Sequence, residues 1–229
     1  MSPDDLADGE PLRHNYSAEL EQLALQVEMM GVLVDQNLER MREVLRNADE
    51  QRAADAVAAD DQIDAMNLSL MENCYELLRR EAPVAADLRL IVSALRVTAE
   101  FERIGDLSLR VVKLQPDHEL LTAVPRAFDV LLTMCDNAVE SFREALRAWS
   151  AHDFDLATKV AEDSQPVINV TQLVEALLAY EGPDGVAITL RTMVAGQALD
   201  RICDHATILG ARVRYLITGD PAHLAAEVR

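Results

Sequence analysis

Residues 100–106 read EFERIGD, and this stretch places two carboxylates four residues apart, at Glu102 and Asp106. On an α-helix, positions four apart lie on the same face, one turn from each other. Two like charges at that spacing destabilise a helix by about 0.2–0.5 kcal/mol. The pair is therefore locally unfavourable unless a cation shares it.

A second version of this pair occurs near the C-terminus. Residues 200–204 read DRICD, which places Asp200 and Asp204 at the same spacing, 98 positions after Glu102 and Asp106. Other matches follow in the same order, such as REVLR at residues 42–46 and REALR at residues 143–147. The ordered series indicates a duplicated fold with one acidic pair in each half.

Apolar residues recur every three or four positions through most of the chain, which predicts long amphipathic helices. The six predicted helices begin near Ser17, Asp49, Pro83, Leu120, Asp153 and Val186. Ser17, Asp49 and Asp153 are suitable N-caps, and Pro83 suits a first helical turn. The last helix is expected to end before Gly219-Asp220-Pro221, a helix-end signal followed by proline.

The predicted fold is all-α, a tandem repeat of two three-helix bundles. The first bundle is expected over residues 15–115 and the second over residues 119–219. Residues 1–14 are acidic and lack apolar periodicity, so a flexible N-terminal segment is expected there. Residues 220–229 form a C-terminal tail after the last helix-end signal.

The composition excludes several classes of function. The formal net charge is −19, so phosphate backbones and anionic lipid headgroups would be repelled, and no nucleic-acid partner is expected. No apolar run approaches the roughly 18 residues that a spanning helix needs, so membrane insertion is not expected. Divalent cations and basic protein partners remain open.

The three cysteines are odd in number and lack CxxC spacing, so they are interpreted as reduced thiols of a cytoplasmic protein. The sequence contains no GxSxG, Walker A, GxGxxG or Glu-x-x-His motif, and no enzymatic activity is expected. His205, directly after Asp204, is interpreted as a helix-surface histidine, with contact to a metal or a partner as the alternative.

Carboxylates on successive helical turns can bind hard or borderline cations, provided that a second helix supplies further ligands. In the first half, Asp60 and Asp64 are a further four-apart pair that could complete a site with Glu102 and Asp106. In the second half, Glu162 and Asp163 persist, with Asp163 as the possible further ligand, but Pro166 interrupts and no acid follows at the equivalent step. The alternative is a solvated acidic face, in which Arg103 and Arg110 satisfy Asp106 by ion pairing.

Several motifs closely resemble the signature of the PhoU family of phosphate-transport accessory proteins. They are DDQID at 60–64, APVAADLR at 82–89, ERIGD at 102–106, DRICDHA at 200–206 and YLITG at 215–219. The resemblance spans residues 15–220. It implies two tandem three-helix bundles whose acid-x-x-x-acid motifs, here Glu102/Asp106 and Asp200/Asp204, hold multinuclear iron or zinc clusters.

The resemblance also implies a cytoplasmic, commonly dimeric regulator of phosphate homeostasis. Such a protein represses high-affinity phosphate uptake and phosphate-starvation signalling, and its expected partners are the ATPase subunit of the phosphate ABC transporter and the phosphate sensor histidine kinase. Two alternatives stay open: a metal-binding or metal-sensing bundle without a phosphate role, and a helical scaffold whose acids only confer solubility.

The second repeat departs from the family pattern. Asp200 stands where glutamate is usual, Cys203 replaces the usual glycine, and the acidic spacing after Glu162 is lost. A metal site is therefore less secure in the second half than in the first.

Overall fold

The structure is a computed structural model that describes residues 9–80, 83–162 and 170–228. Within these ranges, all regular secondary structure is helical. The α-helices are α1 (Gly9–Asn47), α2 (Glu50–Arg80), α3 (Ala86–Val112), α4 (His118–Thr122), α5 (Pro125–Ala151), α6 (Phe154–Glu162), α7 (Val170–Leu178) and α8 (Gly185–Thr218). Short 3₁₀ helices cover Gln115–Asp117 and Pro221–Val228. In the described part of the chain, no helix combines the length and apolarity needed to cross a membrane.

Helices α1, α2 and α3 pack on one another as the first three-helix bundle, and α5, α6, α7 and α8 form the second. The predicted all-α tandem of three-helix bundles is confirmed. Each bundle buries the apolar stripe that its sequence period predicted; Leu23, Met30, Ile63 and Ile104 have no exposed surface in the first bundle, for example.

Two helix pairs join the bundles: α3 with α8, and α1 with α5. The rings of Phe101 and Phe142 meet edge to face with centroids 5.5 Å apart, a favourable aromatic geometry. Ion pairs reinforce the α1–α5 contact, since Arg143 bonds Asp35 at 2.6 Å and Arg46 bonds Asp136 at 2.7 Å. One continuous apolar core therefore runs through both bundles.

Helices α3 and α8 run antiparallel in a fixed register. The Nε of Arg89 donates to the Leu216 carbonyl at 3.4 Å, and the Nδ1 of His205 lies 2.5 Å from Oε2 of Glu100. From Arg89 to Glu100 is eleven residues forward along α3, and from Leu216 to His205 is eleven residues back along α8. The two contacts therefore share one antiparallel register. The same register sets Arg103 level with Ile202, so the two acidic motifs lie side by side across an approximate two-fold axis.

Glu100 is a buried charge in this interface. Its side chain is 9% exposed, and it bonds both His205 of α8 and Nη1 of Arg103, the latter at 2.6 Å. His205 is itself only 16% exposed. The interpretation of His205 as a surface histidine was therefore wrong, because the antiparallel packing of α8 on α3 turns its ring toward a buried carboxylate.

We expect His205→Ala to lower the free energy of unfolding by about 1–3 kcal/mol, because it leaves one oxygen of a buried carboxylate without its donor. Thermal unfolding at neutral pH would measure the loss. A double-mutant cycle with Glu100→Gln supplies the control, since the two side chains should show a coupling energy of at least about 0.5 kcal/mol. Strictly additive effects would contradict a direct contact.

Several predicted helix boundaries are confirmed. The backbone N–H of Arg52 donates to Oδ1 of Asp49 at 3.0 Å, and that of Leu156 donates to Oδ1 of Asp153 at 2.9 Å, so both aspartates cap helices as expected. Helix α8 ends at Gly219, whose φ of 73° is the left-handed conformation that favours glycine after a helix.

Other boundaries differ from the predictions. Helix α1 begins at Gly9, eight residues before Ser17, and Pro11 falls in its first turn, where the missing N–H costs little. Helix α3 begins at Ala86, so Pro83 precedes it and does not occupy its first turn. The single helix expected to begin at Asp153 is described as α6 and α7, and residues 163–169 lie outside the described residues.

The helix expected to begin near Leu120 is interrupted near its start. Helix α4 ends at Thr122, and α5 begins at Pro125. Val124 between them is extended, with φ −115° and ψ 92°, because a proline disfavours the helical conformation of the residue before it.

Candidate functional site: the carboxylate clusters

Four carboxylates from two helices come together in the first bundle. Asp60 and Asp64 of α2 lie across from Glu102 and Asp106 of α3, and we call these four residues the first carboxylate cluster. Asp60 shows the closeness most clearly, because burial first, and then the charges of Asp64 and Asp106, raise its pKa to about 6. The two four-apart pairs that the sequence singled out therefore form one cluster.

Glu102, on the α3 side of the cluster, shows the same rise in pKa. Burial, followed by the charges of Asp106 and Asp64, raises the pKa of Glu102 above its usual value. Lys113 opposes the shift at Asp60, and Arg103 opposes it at Glu102, but neither reverses it. The cluster is thus a region of concentrated, partly desolvated negative charge, which a cation would stabilise.

Gly105 provides the space for this arrangement. A Cβ at this position would lie 3.4 Å from Oδ1 of Asp60 and 3.7 Å from Cδ1 of Ile63. The Asp60 carboxylate therefore packs directly against the α3 backbone between Glu102 and Asp106. A side chain larger than alanine at position 105 would displace it.

The arginines near the cluster do not neutralise Asp106. Arg103 bonds Glu100 instead, and within the described part of the chain neither Arg103 nor Arg110 forms an ion pair with Asp106. The alternative, in which Arg103 or Arg110 satisfies Asp106 by simple ion pairing, is therefore wrong for this structure. Asp106 stays exposed on the surface of α3.

The second motif forms a pair and not a cluster. Burial, and then the charge of Asp204, raises the pKa of Asp200, and no carboxylate from another described helix contributes to that shift. Asp163, the further ligand expected for this half, lies outside the described residues. We call Asp200 and Asp204 the second carboxylate pair.

Cys203 occupies the position that Gly105 has in the first motif. Burial raises the pKa of its thiol to about 11, a hydrogen bond with Ser141 of α5 opposes the shift, and the charges of Asp200 and Asp204 add to it. The thiol is therefore protonated at neutral pH and directed to α5, away from the exposed Asp204. It is a poor donor for a metal in this state.

The donor chemistry of the first carboxylate cluster suits a hard or borderline cation, because it offers carboxylate oxygens from two helices. Across the described residues, however, no three His, Cys, Asp or Glu side chains converge closely enough to coordinate one ion as they stand. The predicted metal sites stay predictions. Binding at the first cluster would require its side chains to change rotamer.

The raised pKa of Asp60 gives a testable dependence on pH. Its carboxyl titrates near pH 6 in the folded chain but near pH 4 in the unfolded chain, so the folded state holds the proton more tightly. The stability that this proton contributes is present at about pH 4 and is lost as the pH rises through about 6.

We therefore expect Asp60→Asn, in chelator-treated protein, to flatten the fall in melting temperature between pH 4.5 and about 7. Melting curves over that range would measure the effect. Asp55→Asn, which neutralises an α2 carboxylate that Gln51 bonds at 2.9 Å, is the matched control and should keep the wild-type slope. Equal slopes in all three proteins would contradict the shift at Asp60.

Sequence reasoning missed Glu100, which ties the two acidic motifs together through His205 and Arg103. One signal could have found it. Glu100 lies three residues after Val97 and four before Ile104, on the buried face of its helix, where an acid needs a partner.

Comparison with known proteins places these features in a family. The family model "PhoU domain" matches residues 27–114, which cover most of α1 and all of α2 and α3. A phosphate-specific transport system accessory protein PhoU homologue from Xylella fastidiosa is 31% identical over 209 residues, which cover 90% of this chain and 88% of that protein.

Two solved structures share the fold. The crystal structure of PhoU from Pseudomonas aeruginosa is 31% identical, superposes with a TM-score of 0.82, and is matched over 90% of this chain and 100% of that chain. The phosphate transport system regulatory protein PhoU from Streptococcus pneumoniae is 20% identical and has a TM-score of 0.74, over 90% of this chain and 98% of that chain. The latter likeness concerns the fold alone.

Proposed function

The chain belongs to the PhoU family, and from this membership we propose that it is an accessory regulator of phosphate transport. One observation carries the proposal: 31% identity, over nearly the whole of both chains, to a phosphate-specific transport system accessory protein. The match extends through both bundles and both acidic motifs. It is therefore not confined to a single shared module.

The proposed role is negative. The chain represses high-affinity phosphate uptake and keeps phosphate-starvation signalling silent when phosphate is plentiful. It acts in the cytoplasm, as a homodimer and without catalysing a reaction, through contacts with the transporter ATPase subunit and the sensor histidine kinase. The order and spacing of the family motifs support this finer proposal.

We further propose that the first carboxylate cluster holds the metal that the family pattern implies, as iron or zinc. Asp60, Asp64, Glu102 and Asp106 would supply the oxygens, and the bound cation would offset the repulsion that raises the pKa of Asp60 and Glu102. The second carboxylate pair would bind more weakly, because Asp200 and Asp204 receive no third carboxylate from the described helices.

A metal-binding or metal-sensing bundle without a phosphate role is the second candidate. The four-carboxylate cluster favours it, since such a cluster serves metal binding whatever the partner proteins are. This candidate predicts that loss of the gene alters the cellular response to iron or zinc and leaves phosphate uptake unchanged.

Affinity purification tests the regulatory proposal directly. The full chain would be immobilised and offered the purified transporter ATPase subunit and the purified cytoplasmic portion of the sensor kinase. Saturable binding of at least one of them, with a Kd near or below about 10 μM, is expected. Absence of binding by both, with and without added zinc or iron, would contradict the proposal.

A further inference from the structure

A row of arginines crosses the outer surface of α3. Arg89, Arg96, Arg103 and Arg110 follow one another at intervals of seven residues. Seven residues are close to two full turns, so these side chains share one face, and neighbours lie about 10 Å apart along the axis. Arg96, Arg103 and Arg110 are exposed.

The approximate two-fold axis brings a fourth exposed arginine beside this row. Arg201 of α8 corresponds to Arg103 of α3 in the duplicated motif, and the antiparallel register sets Arg201 level with Ile104. A two-fold axis that relates adjacent antiparallel helices is perpendicular to the plane containing both. Equivalent residues of the two helices therefore lie on the same side of that plane. We call Arg96, Arg103, Arg110 and Arg201 the arginine face.

These cations are unusual because the chain has a large acidic excess, with 40 carboxylates against 21 Lys and Arg residues. Even so, none of the described carboxylates forms an ion pair with Arg96, Arg110 or Arg201, and Arg103 alone is engaged, by Glu100. The arginine face keeps its capacity for charge-assisted, bidentate hydrogen bonds to carboxylates outside the chain.

An exposed apolar row adjoins the arginine face on α8. Val186, Leu190 and Val194 are 78%, 61% and 36% exposed, and their spacing places them on the same side of α8 as Arg201. In the antiparallel register, Val194 is nearly level with Arg110. The apolar row therefore begins level with Arg110 and continues beyond it, so the combined surface has a cationic stretch followed along the axis by an apolar stretch.

We propose that this surface docks an acidic helix of a partner protein, with the carboxylates of one part of the helix on the arginine face and the apolar residues of the following part on the Val186–Val194 row. Arg96 is level with Leu209, so the span from Arg96 to Val186 is about 35 Å, which a helix of about 23 residues covers. Charge complementarity selects this occupant, because carboxylates spaced along a helix match cations spaced along α3.

Other anionic occupants fit less well. Nucleic acid and anionic membranes present extended charge, which the net charge of −19 repels, whereas a single helix contacts the arginines at close range. Inorganic phosphate is too small to bridge successive arginines of α3, which are about 10 Å apart. The docking proposal rests on the proposed function, since the partner would be a component of the phosphate transport or signalling machinery.

The test compares the wild-type chain with the double variant Arg96→Glu/Arg110→Glu. The probes are the purified ATPase subunit, the purified cytoplasmic portion of the kinase, and a labelled synthetic helix of about 24 residues. The helix carries glutamates at seven-residue spacing in its first part and leucines at four-residue spacing in its last part. We expect the double variant to weaken binding of the synthetic helix, and of whichever protein binds, by at least about 30-fold.

Arg126→Glu/Arg147→Glu on α5 is the matched control, because it changes the net charge equally at exposed arginines outside the arginine face. We expect it to change each Kd by less than about 3-fold. A synthetic helix with lysines in place of the glutamates should not bind. Equal binding by the double variant and the control would overturn the proposal.

Further outcomes distinguish the possible occupants of this surface, and they distinguish failure of the docking proposal from failure of the proposed function. The docking proposal is overturned if phosphate displaces the synthetic helix more strongly than chloride does at the same ionic strength. It is also overturned if the only effect of the double variant is to convert a dimer to monomers. If neither protein binds the wild-type chain, the proposed function fails. Loss of synthetic-helix binding in the double variant would still support the arginine face in that case.

Discussion

Joint replacement of Glu102 by Gln and Asp106 by Asn is expected to lower the affinity of the chain for zinc or ferrous iron by about 100-fold or more. The substitutions keep the size of both side chains but remove the two α3 charges from the first carboxylate cluster. Asp60 and Asp64 would then face a cation alone, with too few charged oxygens to hold it.

Metal content after purification without chelator, followed by calorimetric titration, would measure the loss. Glu72→Gln/Glu175→Gln is the matched control, because it removes the same charge from exposed positions outside both carboxylate sites. Asp200→Asn/Asp204→Asn should reduce the total metal bound by less than the first-cluster variant does. Unchanged metal binding by the Glu102/Asp106 variant would disprove the assignment.

Without metal, the Glu102→Gln/Asp106→Asn variant should not lose thermal stability, unlike a variant that has lost a stabilising contact. Removing two charges from a repulsive cluster relieves the effect that raises the pKa of Asp60 and Glu102. We therefore expect a melting temperature equal to or slightly above that of the wild-type chain. This readout separates loss of a metal site from loss of the fold.

Gly210→Ala is expected to destabilise the second bundle by about 2–3 kcal/mol. A Cβ at this position would lie 2.8 Å from the carbonyl oxygen of Ala157 and 3.0 Å from the backbone nitrogen of Ala161. Both atoms belong to the α6 backbone, which cannot move aside as a flexible side chain can. Helix α6 would have to separate from α8.

Chemical denaturation would measure this loss, and Gly105→Ala is its control. At Gly105 the nearest atom to a new Cβ is 3.4 Å away, and the higher helix propensity of alanine favours the folded state by up to about 1 kcal/mol. The control should therefore unfold at an equal or higher denaturant concentration. A Gly210→Ala protein as stable as wild type would show that α6 and α8 are not so closely packed.

The first carboxylate cluster could be predicted from the sequence because its geometry is local. Helices α2 and α3 follow one another with a short connection, so they pack as antiparallel neighbours and bring Asp60 opposite Gly105. The four-residue spacing then determines which carboxylates share a face. No contact between distant parts of the chain is required.

The contact between Glu100 and His205 could not be found in the same way. It depends on the register between α3 and α8, and no short motif records the relative position of helices about 100 residues apart. The same limit applies to Arg103, which had an acid three residues away in both directions. Only the packed structure shows that Glu100, and not Asp106, is its partner.

The break at Pro125 shows how a strong periodic signal can conceal a local one. Leu120, Leu121 and Val124 continue the apolar period into α5, yet the proline forces Val124 into an extended conformation. At this position, the restriction that Pro125 places on the backbone of Val124 outweighs the helical periodicity of the surrounding apolar residues. Giving the residue before proline more weight would have placed this boundary correctly.

Phosphate uptake in cells lacking this chain is the most direct measurement of the proposed role. Deletion of the gene should raise the uptake of labelled phosphate, and the expression of a phosphate-starvation reporter, several-fold in phosphate-rich medium. A plasmid copy of the wild-type chain should restore repression of both. Uptake and reporter expression that stay at wild-type levels after deletion would contradict the proposal that this chain restrains phosphate transport.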